Sequence, residues 1–233
     1  MSYSGSIETM YLDPVSFVPN GRCAFELDGT KLAYGSNMRL LNLGTISASP
    51  QDYNAGLGAL GLIKNIKLMD ARTELSQMRN PAQYLYFKNS NRTNATNKSE
   101  DSFLKRNQIG YEIQGTNNLV KKIYSSGKSQ IQPEVTALSY LDLRELFPLL
   151  NSKEFMTLPT SVFKNLRIEI EFQGNKDFEV LKDTATVFTV QRPILAVDVI
   201  NNPVLVQNAV DALMANPVLW SEIETDNYTI NAV

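Results

Sequence analysis

Apolar and charged residues alternate most regularly at residues 166–172 of this 233-residue chain. Every second position is apolar and the positions between are charged: Leu166, Ile168, Ile170 and Phe172 against Arg167, Glu169 and Glu171. Successive side chains of a strand point to opposite faces of a sheet. The segment therefore predicts a β-strand with one face in a core and the other in solvent.

Similar but shorter segments recur along most of the chain. We predict further strands at residues 23–27, 30–34, 38–43, 62–69, 84–87, 111–113, 135–141, 186–190 and 194–200. The last of these is apolar at every position except Asp198, which is typical of a central strand covered on both faces. Eight to ten short strands predict a two-sheet, all-β sandwich rather than a βαβ fold.

The connections between the predicted strands carry their own signals. Asp28-Gly29 separates two strand segments and predicts a tight hairpin, since both residue types tolerate positive φ. The residues from 89 to 106 and from 117 to 130 are strongly polar, and we expect exposed loops there.

Two short helices are expected to interrupt the β pattern. Asp142 can cap a first helix that begins at Leu143, and Pro148 keeps that helix short or kinks it. A second helix begins at Asn202-Pro203 and ends before Asn216-Pro217. It carries one apolar stripe, which needs a surface to cover it: Val206, Val210, Leu213 and Met214.

Composition narrows the classes of function. The chain has 22 basic and 24 acidic residues and a net charge of −2, so it lacks the basic excess that direct nucleic-acid binding uses. No apolar run is long enough to span a membrane, and the N-terminus does not resemble a signal peptide. The single cysteine, Cys23, is expected to be a buried and inert thiol of a strand.

Candidate catalytic and cofactor motifs are few. The chain contains no histidine, so Ser-His-Asp and Cys-His designs are impossible, and we predict no catalytic, cofactor or metal site. Residues 56–61 have the G-x-G-x-x-G spacing of dinucleotide-binding loops, but a polar loop precedes them and a predicted strand follows, which favours a small-residue turn. Glu169 and Glu171 could form a glycosidase pair, although a solvated strand face gives the same pattern.

Several segments together resemble a known family. These are Tyr140-Leu141-Asp142-Leu143-Arg144-Glu145-Leu146-Phe147, the stretch from Leu158-Pro159-Thr160 to Leu166-Arg167-Ile168-Glu169-Ile170, Gly58-Ala59-Leu60-Gly61-Leu62, and Trp220-Ser221-Glu222-Ile223. They are similar to the jelly-roll major capsid proteins of polinton-like viruses, virophages and their large DNA virus relatives. The resemblance covers most of residues 20–230 and implies an eight-stranded antiparallel jelly roll.

The resemblance also implies a function and partners. In this family, subunits with two rolls assemble as homotrimers into pseudo-hexagonal capsomers of an icosahedral shell. This chain would be a non-enzymatic virion component that is assembled in the host cell interior and that contacts copies of itself and other capsid proteins. The expected interface residues are Val206, Val210, Leu213 and Trp220.

The length accommodates one roll and a connector, whereas the family has two rolls in tandem. We expect an N-terminal arm at residues 1–19, a roll at 20–201, and a helix and connector at 202–233. The chain would be the first roll of a longer protein or, alternatively, a single-roll vertex (penton) protein. A carbohydrate-binding β-sandwich module and a jelly-roll glycoside hydrolase are further alternatives.

Overall fold

The strands of the protein lie mainly in two five-stranded sheets. The computed structural model describes residues 7–27, 33–43, 45–46, 62–81, 84, 110–114, 118–122, 140–152, 157–163, 165–173, 189–215 and 222–223. The strands are β1 Ile7–Leu12, β2 Ser16–Phe17, β3 Arg22–Leu27, β4 Ala33–Leu41, β5 Thr45–Ile46, β6 Ile63–Asp70, β7 Thr73–Arg79, β8 Gly110–Gln114, β9 Asn118–Lys122, β10 Tyr140–Asp142, β11 Thr157–Pro159, β12 Leu166–Phe172, β13 Thr189–Val190 and β14 Ile194–Ile200.

The order of the strands defines the fold. Sheet I has the order β1-β14-β4-β10, with β11 also paired to β4, and sheet II has the order β2-β3-β12-β6-β7. Each pairing in these two sheets is antiparallel. We number the eight principal strands β1, β3, β4, β6, β7, β10, β12 and β14 from one to eight. Sheet I then reads 1-8-3-6 and sheet II reads 2-7-4-5, which is a jelly roll of two interleaved Greek keys.

The prediction of an all-β jelly roll is therefore confirmed. Strands β12 and β14 have the predicted bounds, and β14 lies between β1 and β4 as expected of a central strand. Two small antiparallel pairs, β5 with β13 and β8 with β9, accompany the main sheets. Strand β9 forms within 117–130, where polarity had predicted a loop, because a pairing partner can override low β-propensity. Residues 85–109 and 56–61 lie outside the described residues.

Two predictions near the N-terminus need correction. The hairpin expected at Asp28-Gly29 is wrong, because β3 pairs with β2 and β12 while β4 belongs to the other sheet. The chain crosses between the sheets at this point, which the turn signal alone could not reveal. Strands β1 and β2 lie within the 1–19 segment that was expected to be an arm, so the sheets begin at Ile7 rather than at residue 20.

The two helical predictions are confirmed. The long helix, α1 Pro203–Ala215, is capped by Asn202, whose Oδ1 accepts hydrogen bonds from the backbone N–H of Val204 at 3.0 Å and of Leu205 at 3.3 Å. Near Pro148 the chain forms two 3-10 turns, Leu143–Glu145 and Pro148–Asn151. Asp142 caps the first turn by accepting from the Arg144 N–H at 3.0 Å.

The core lies between the two sheets and is closed at one end by the 3-10 turns. It contains the inward side chains of β12 and β14, together with those of β3, β4 and β6: Leu166, Ile168, Ile170, Phe172, Leu195, Val197, Val199, Cys23, Phe25, Leu27, Tyr34, Met38, Leu40, Ile63, Ile66 and Leu68. Phe17 of β2 meets Phe172 edge to face, with ring centroids 6.4 Å apart. Leu143, Leu146, Phe147, Leu149 and Leu150 from the 3-10 region complete the same cluster. This burial leaves the outer faces and edges of the sheets as the surfaces available for function.

Candidate subunit interface

The edge of the sandwich at β1 and β2 carries a concentration of exposed apolar side chains. Five of the seven large apolar side chains that are exposed among the described residues lie within the first eighteen residues: Ile7, Met10, Tyr11, Val15 and Val18. Ile7 is 65% exposed and Tyr11 69% exposed. Exposed apolar side chains concentrated in one segment make it a candidate for a protein contact. We call these five residues the edge strip.

Strand β1 is exposed on both faces, although it is hydrogen-bonded along its whole length to β14. The register runs from Ile7 opposite Ile200 to Leu12 opposite Leu195 without a shift. Ile7, Thr9 and Tyr11 therefore share the outward face with Asp198 of β14. Of the inward-facing residues, Leu12 is partly buried and packs against the core.

A polar cluster on the outer face of sheet I ties β1 to the sheet. Thr9 donates from Oγ1 to Asp198 Oδ1 at 2.8 Å, and Asn37 of β4 donates from Nδ2 to Asp198 Oδ2 at 3.0 Å. Arg39 Nη2 lies 3.7 Å from Asp198 Oδ1. Asp198 sits where the register between β14 and β4 shifts, and Gly35 of β4 approaches its backbone there. One carboxylate thus joins three adjacent strands.

The outer face of sheet II differs from the edge strip. Its charged side chains form ion pairs with oppositely charged neighbours on the adjacent strand. Lys64 Nζ lies 3.0 Å from Glu171 Oε1, and Lys67 Nζ lies 2.6 Å from Glu74 Oε2. These exposed ion pairs contribute little to stability, but they leave a face well suited to water.

The two carboxylates considered as a glycosidase pair lie on this charged face. Glu171 is paired with Lys64, and Glu169 Oε1 lies 3.8 Å from Arg167 Nη1. Arg167 also lies 3.5 Å from Glu26 Oε1. The arrangement is the alternating polar face of a half-buried strand, as the sequence pattern favoured.

Cys23 is buried in the core, which confirms the sequence interpretation. Burial raises the pKa of its thiol to about 12, while the positive charge of Arg192 acts in the opposite direction. The thiolate is the reactive form of cysteine, so the folded protein keeps this side chain unreactive near neutral pH.

Helix α1, which was predicted to contact a surface outside the roll, lies against β11 of its own domain. Val206 is only 8% exposed, Val210 is half-buried, and Leu213 packs against the core cluster. Part of the apolar stripe is therefore covered within the roll. Met214, at the end of the stripe, is exposed, and so is Val204 beside it on the helix. Trp220, the fourth predicted interface residue, lies outside the described residues.

The described residues also bear on metal sites and membrane-spanning helices. They contain no group of three or more His, Cys, Asp or Glu side chains placed to hold a metal ion. Among the same residues, no helix is both long and apolar enough to cross a membrane.

Comparison with known proteins gives structural matches only. No protein family matches the sequence. No curated protein matches it either. The quasi-atomic model of the PBCV-1 virus capsid matches with 10% identity and a TM-score of 0.38, over 90% of this chain and 46% of that one. The crystal structure of PBCV-1 VP54 fitted into a reconstruction of the virophage Sputnik matches with 10% identity and a TM-score of 0.36, over the same shares. The chain thus spans about half the length of each match, and the jelly-roll assignment rests on the strand order itself.

The edge strip was not predicted from the sequence, because the residue pattern of β1 differs from that of a core strand. In β1, apolar residues stand at both odd and even positions, and Glu8 is the one charge. A search for alternation therefore passes over it. The sequence feature that could have revealed it is an apolar segment whose apolar residues do not alternate with polar ones.

Proposed function

We propose that this chain is a structural viral capsid protein whose roll assembles with copies of itself into capsomers of an icosahedral shell. The observation that carries the proposal is the edge strip on a complete jelly roll. A roll with a filled core has no internal need for exposed Ile7, Met10 and Tyr11. Their exposure is accounted for when another subunit covers them.

The fold restricts the alternatives. Double-sheet jelly rolls are typical of viral capsid proteins, lectins and cupins. The absence of histidine from the chain disfavours metal-dependent and acid–base enzymes on this scaffold, since histidine is the side chain best suited to both roles near neutral pH. The resemblance of residues 140–147 and 158–170 to capsid sequences supports the first class.

Within this proposal the capsomer is a homotrimer that is located in the virion and contacts other capsid proteins. Its outline is pseudo-hexagonal when each subunit contributes two rolls, as in the family that the sequence resembles. The protein acts through its interfaces and not through catalysis, and its near-neutral charge keeps it from binding the genome directly. Helix α1, with Val210 and the exposed Met214, provides a second candidate contact. Trp220 stays a candidate by its place in the sequence.

The mass of the purified protein in solution tests the proposal. Size-exclusion chromatography with light scattering should give a multiple of the 26.1 kDa chain mass, three for a capsomer of the proposed kind and five for a vertex protein. Electron microscopy of concentrated samples should show rings or shells.

The carbohydrate-binding alternative gives the opposite result. A lectin-like module would use Tyr11, an exposed aromatic side chain on the outer face of sheet I, as a platform for a sugar ring. A monomer at every concentration, combined with oligosaccharide binding that Tyr11→Ala abolishes, would overturn the capsid proposal.

A further inference from the structure

We propose that the free edge of β1 pairs antiparallel with the β1 edge of a second copy in a neighbouring capsomer, so that sheet I continues across a two-fold axis between the two capsomers. The proposal rests on the proposed self-assembly and names the partner of the edge strip. In the described part of the chain, β1 pairs with β14 alone and its other side ends the sheet. An unpaired strand edge offers N–H and C=O groups that only another extended strand can satisfy in register.

A comparison of the sheet edges shows why β1 is the one suited to pairing. Edge strands of natural proteins are usually short, bulged or charged, because such features prevent association. Strand β2 has two residues and β10 has three. Strand β7 is longer, but its register with β6 shifts, and it carries Glu74 and Arg79.

Strand β1 has fewer of these protective features, and Glu8 is its one charge. It has six residues, no register shift, no proline and no basic residue. Among the described edges of the two main sheets it is therefore the long edge with the least protection. In an assembly of identical chains, the β1 of another copy is equally long and equally unprotected, so the two strands can pair with each other. Such a contact is isologous, because both copies use the same surface.

The charge of β1 favours a register that keeps the two Glu8 carboxylates far apart. Antiparallel pairing centred on Met10 places Met10 opposite its own copy, Thr9 opposite Tyr11, and Glu8 opposite Leu12. The two Glu8 carboxylates then lie four residues apart along the strands, about 13 Å. A register centred on Glu8 would oppose them directly, and like charges opposite each other destabilise a strand pair.

Disulfide trapping tests the register. Side chains directly opposite in an antiparallel pair have Cβ atoms about 4.5–5.5 Å apart, so Met10→Cys should give a covalent dimer under mild oxidation. Thr73→Cys is the matched control, because Thr73 is an exposed residue of the edge strand β7 on the other sheet and lies outside the edge strip. Native Cys23 is buried and contributes little background.

A charge variant tests the contribution of the edge to assembly. Tyr11→Lys adds the kind of residue that protects natural edges, and we expect it to weaken self-association by about tenfold or more in sedimentation experiments. Thr73→Lys, at an exposed position of β7 in the other sheet, should change association by less than about twofold. Both sites are exposed, so both variants should fold, and circular dichroism checks this.

The outcomes separate this proposal from the proposed function. Met10→Cys dimers together with weakened Tyr11→Lys association support β1 pairing. An oligomeric protein in which Met10→Cys forms no dimer, or in which only Thr9→Cys does, overturns the stated pairing and leaves the capsid proposal standing. A wild-type protein that is monomeric at every concentration overturns both.

Discussion

Strands β12 and β1 occupy opposite situations in the same sandwich. Strand β12 lies inside sheet II between β3 and β6, with one face buried and one face charged. Strand β1 ends sheet I and is exposed along almost its whole length, although it is no less apolar. The apolar residues of β12 serve the fold, while those of β1 contribute little to it. Apolar side chains of a strand that do not pack in the core are a sign of a contact with another molecule.

The largest expected effect is a difference in the free energy of unfolding between a substitution in β12 and one in β1. Ile168→Ala removes a fully buried side chain of β12 and should lower the free energy of unfolding by about 2–5 kcal/mol. Ile7→Ala, at an exposed position of β1, should lower it by less than about 0.5 kcal/mol. Urea unfolding of the two variants at matched concentration measures both.

Similar losses of unfolding free energy in the two variants would contradict the difference between β12 and β1. They would mean that the Ile7 side chain contributes to the stability of the core. The measurement is best made at low protein concentration, where self-association does not add to stability.

The same contrast explains what the sequence could predict. Alternation identifies a strand because the core forces apolar side chains to one face, and β12 was predicted with its observed bounds for that reason. Strand β14 was predicted with its observed bounds from a nearly continuous apolar run. The strand order was beyond local signals. Asp28-Gly29 looks like a hairpin turn, and only the pairing of β3 with β12, far along the chain, shows that the chain crosses there to the other sheet.

The candidate site was less predictable than the fold. The sequence predicts an interface on α1, and the structure covers part of its stripe, since β11 lies against the helix and Val206 is buried. An interface at the rest of the helix stays a prediction. β11 has only three residues, and its pairing with the start of β4 depends on contacts distant in sequence. The edge strip could have been found by asking which apolar segments lacked a periodic face.

Helix α1 provides an intermediate case for the comparison, because its stripe is covered in part. Val206→Asp places a carboxylate in a buried site and should cost about 3 kcal/mol of stability. Val210→Asp, at a half-buried position, should cost about 1 kcal/mol and reduce capsomer formation more than it lowers stability. Thermal unfolding and light scattering of the two variants provide the comparison. Normal assembly of Val210→Asp would remove α1 from the interface.

A smaller effect is expected where β1 is fastened to its sheet. Asp198→Ala removes the acceptor for Thr9 and Asn37 and the partner of Arg39, and it should lower stability by about 1 kcal/mol. Hydrogen exchange should then accelerate in β1 more than in β12. Asp211→Ala is the control, since that carboxylate accepts one hydrogen bond from Gln207 on an exposed helix face. Unchanged exchange in β1 would show that its backbone pairing with β14 suffices.

The smallest effect lies in the turn that joins β6 to β7 beside β12. Ala71 has a φ of 53°, in the left-handed region that costs a residue with a Cβ atom about 1–2 kcal/mol. Its N–H donates to the Asn165 carbonyl at 2.8 Å, and glycine would keep that bond. Ala71→Gly relieves the strain but adds flexibility to the unfolded chain, so we expect a net gain of about 0.5 kcal/mol, or 1–2 °C in Tm.

The neighbouring Arg72 is the matched control for this turn. Its φ lies outside the left-handed region, so Arg72→Gly gains no relief and should lose about 0.5–1 kcal/mol through the entropy of the unfolded chain alone. Differential scanning calorimetry resolves the opposite signs of the two shifts. The turn belongs to sheet II, whereas β1 is an edge strand of sheet I. Neither variant should therefore alter assembly. A shift of the same sign in both variants would mean that the turn is not strained at Ala71.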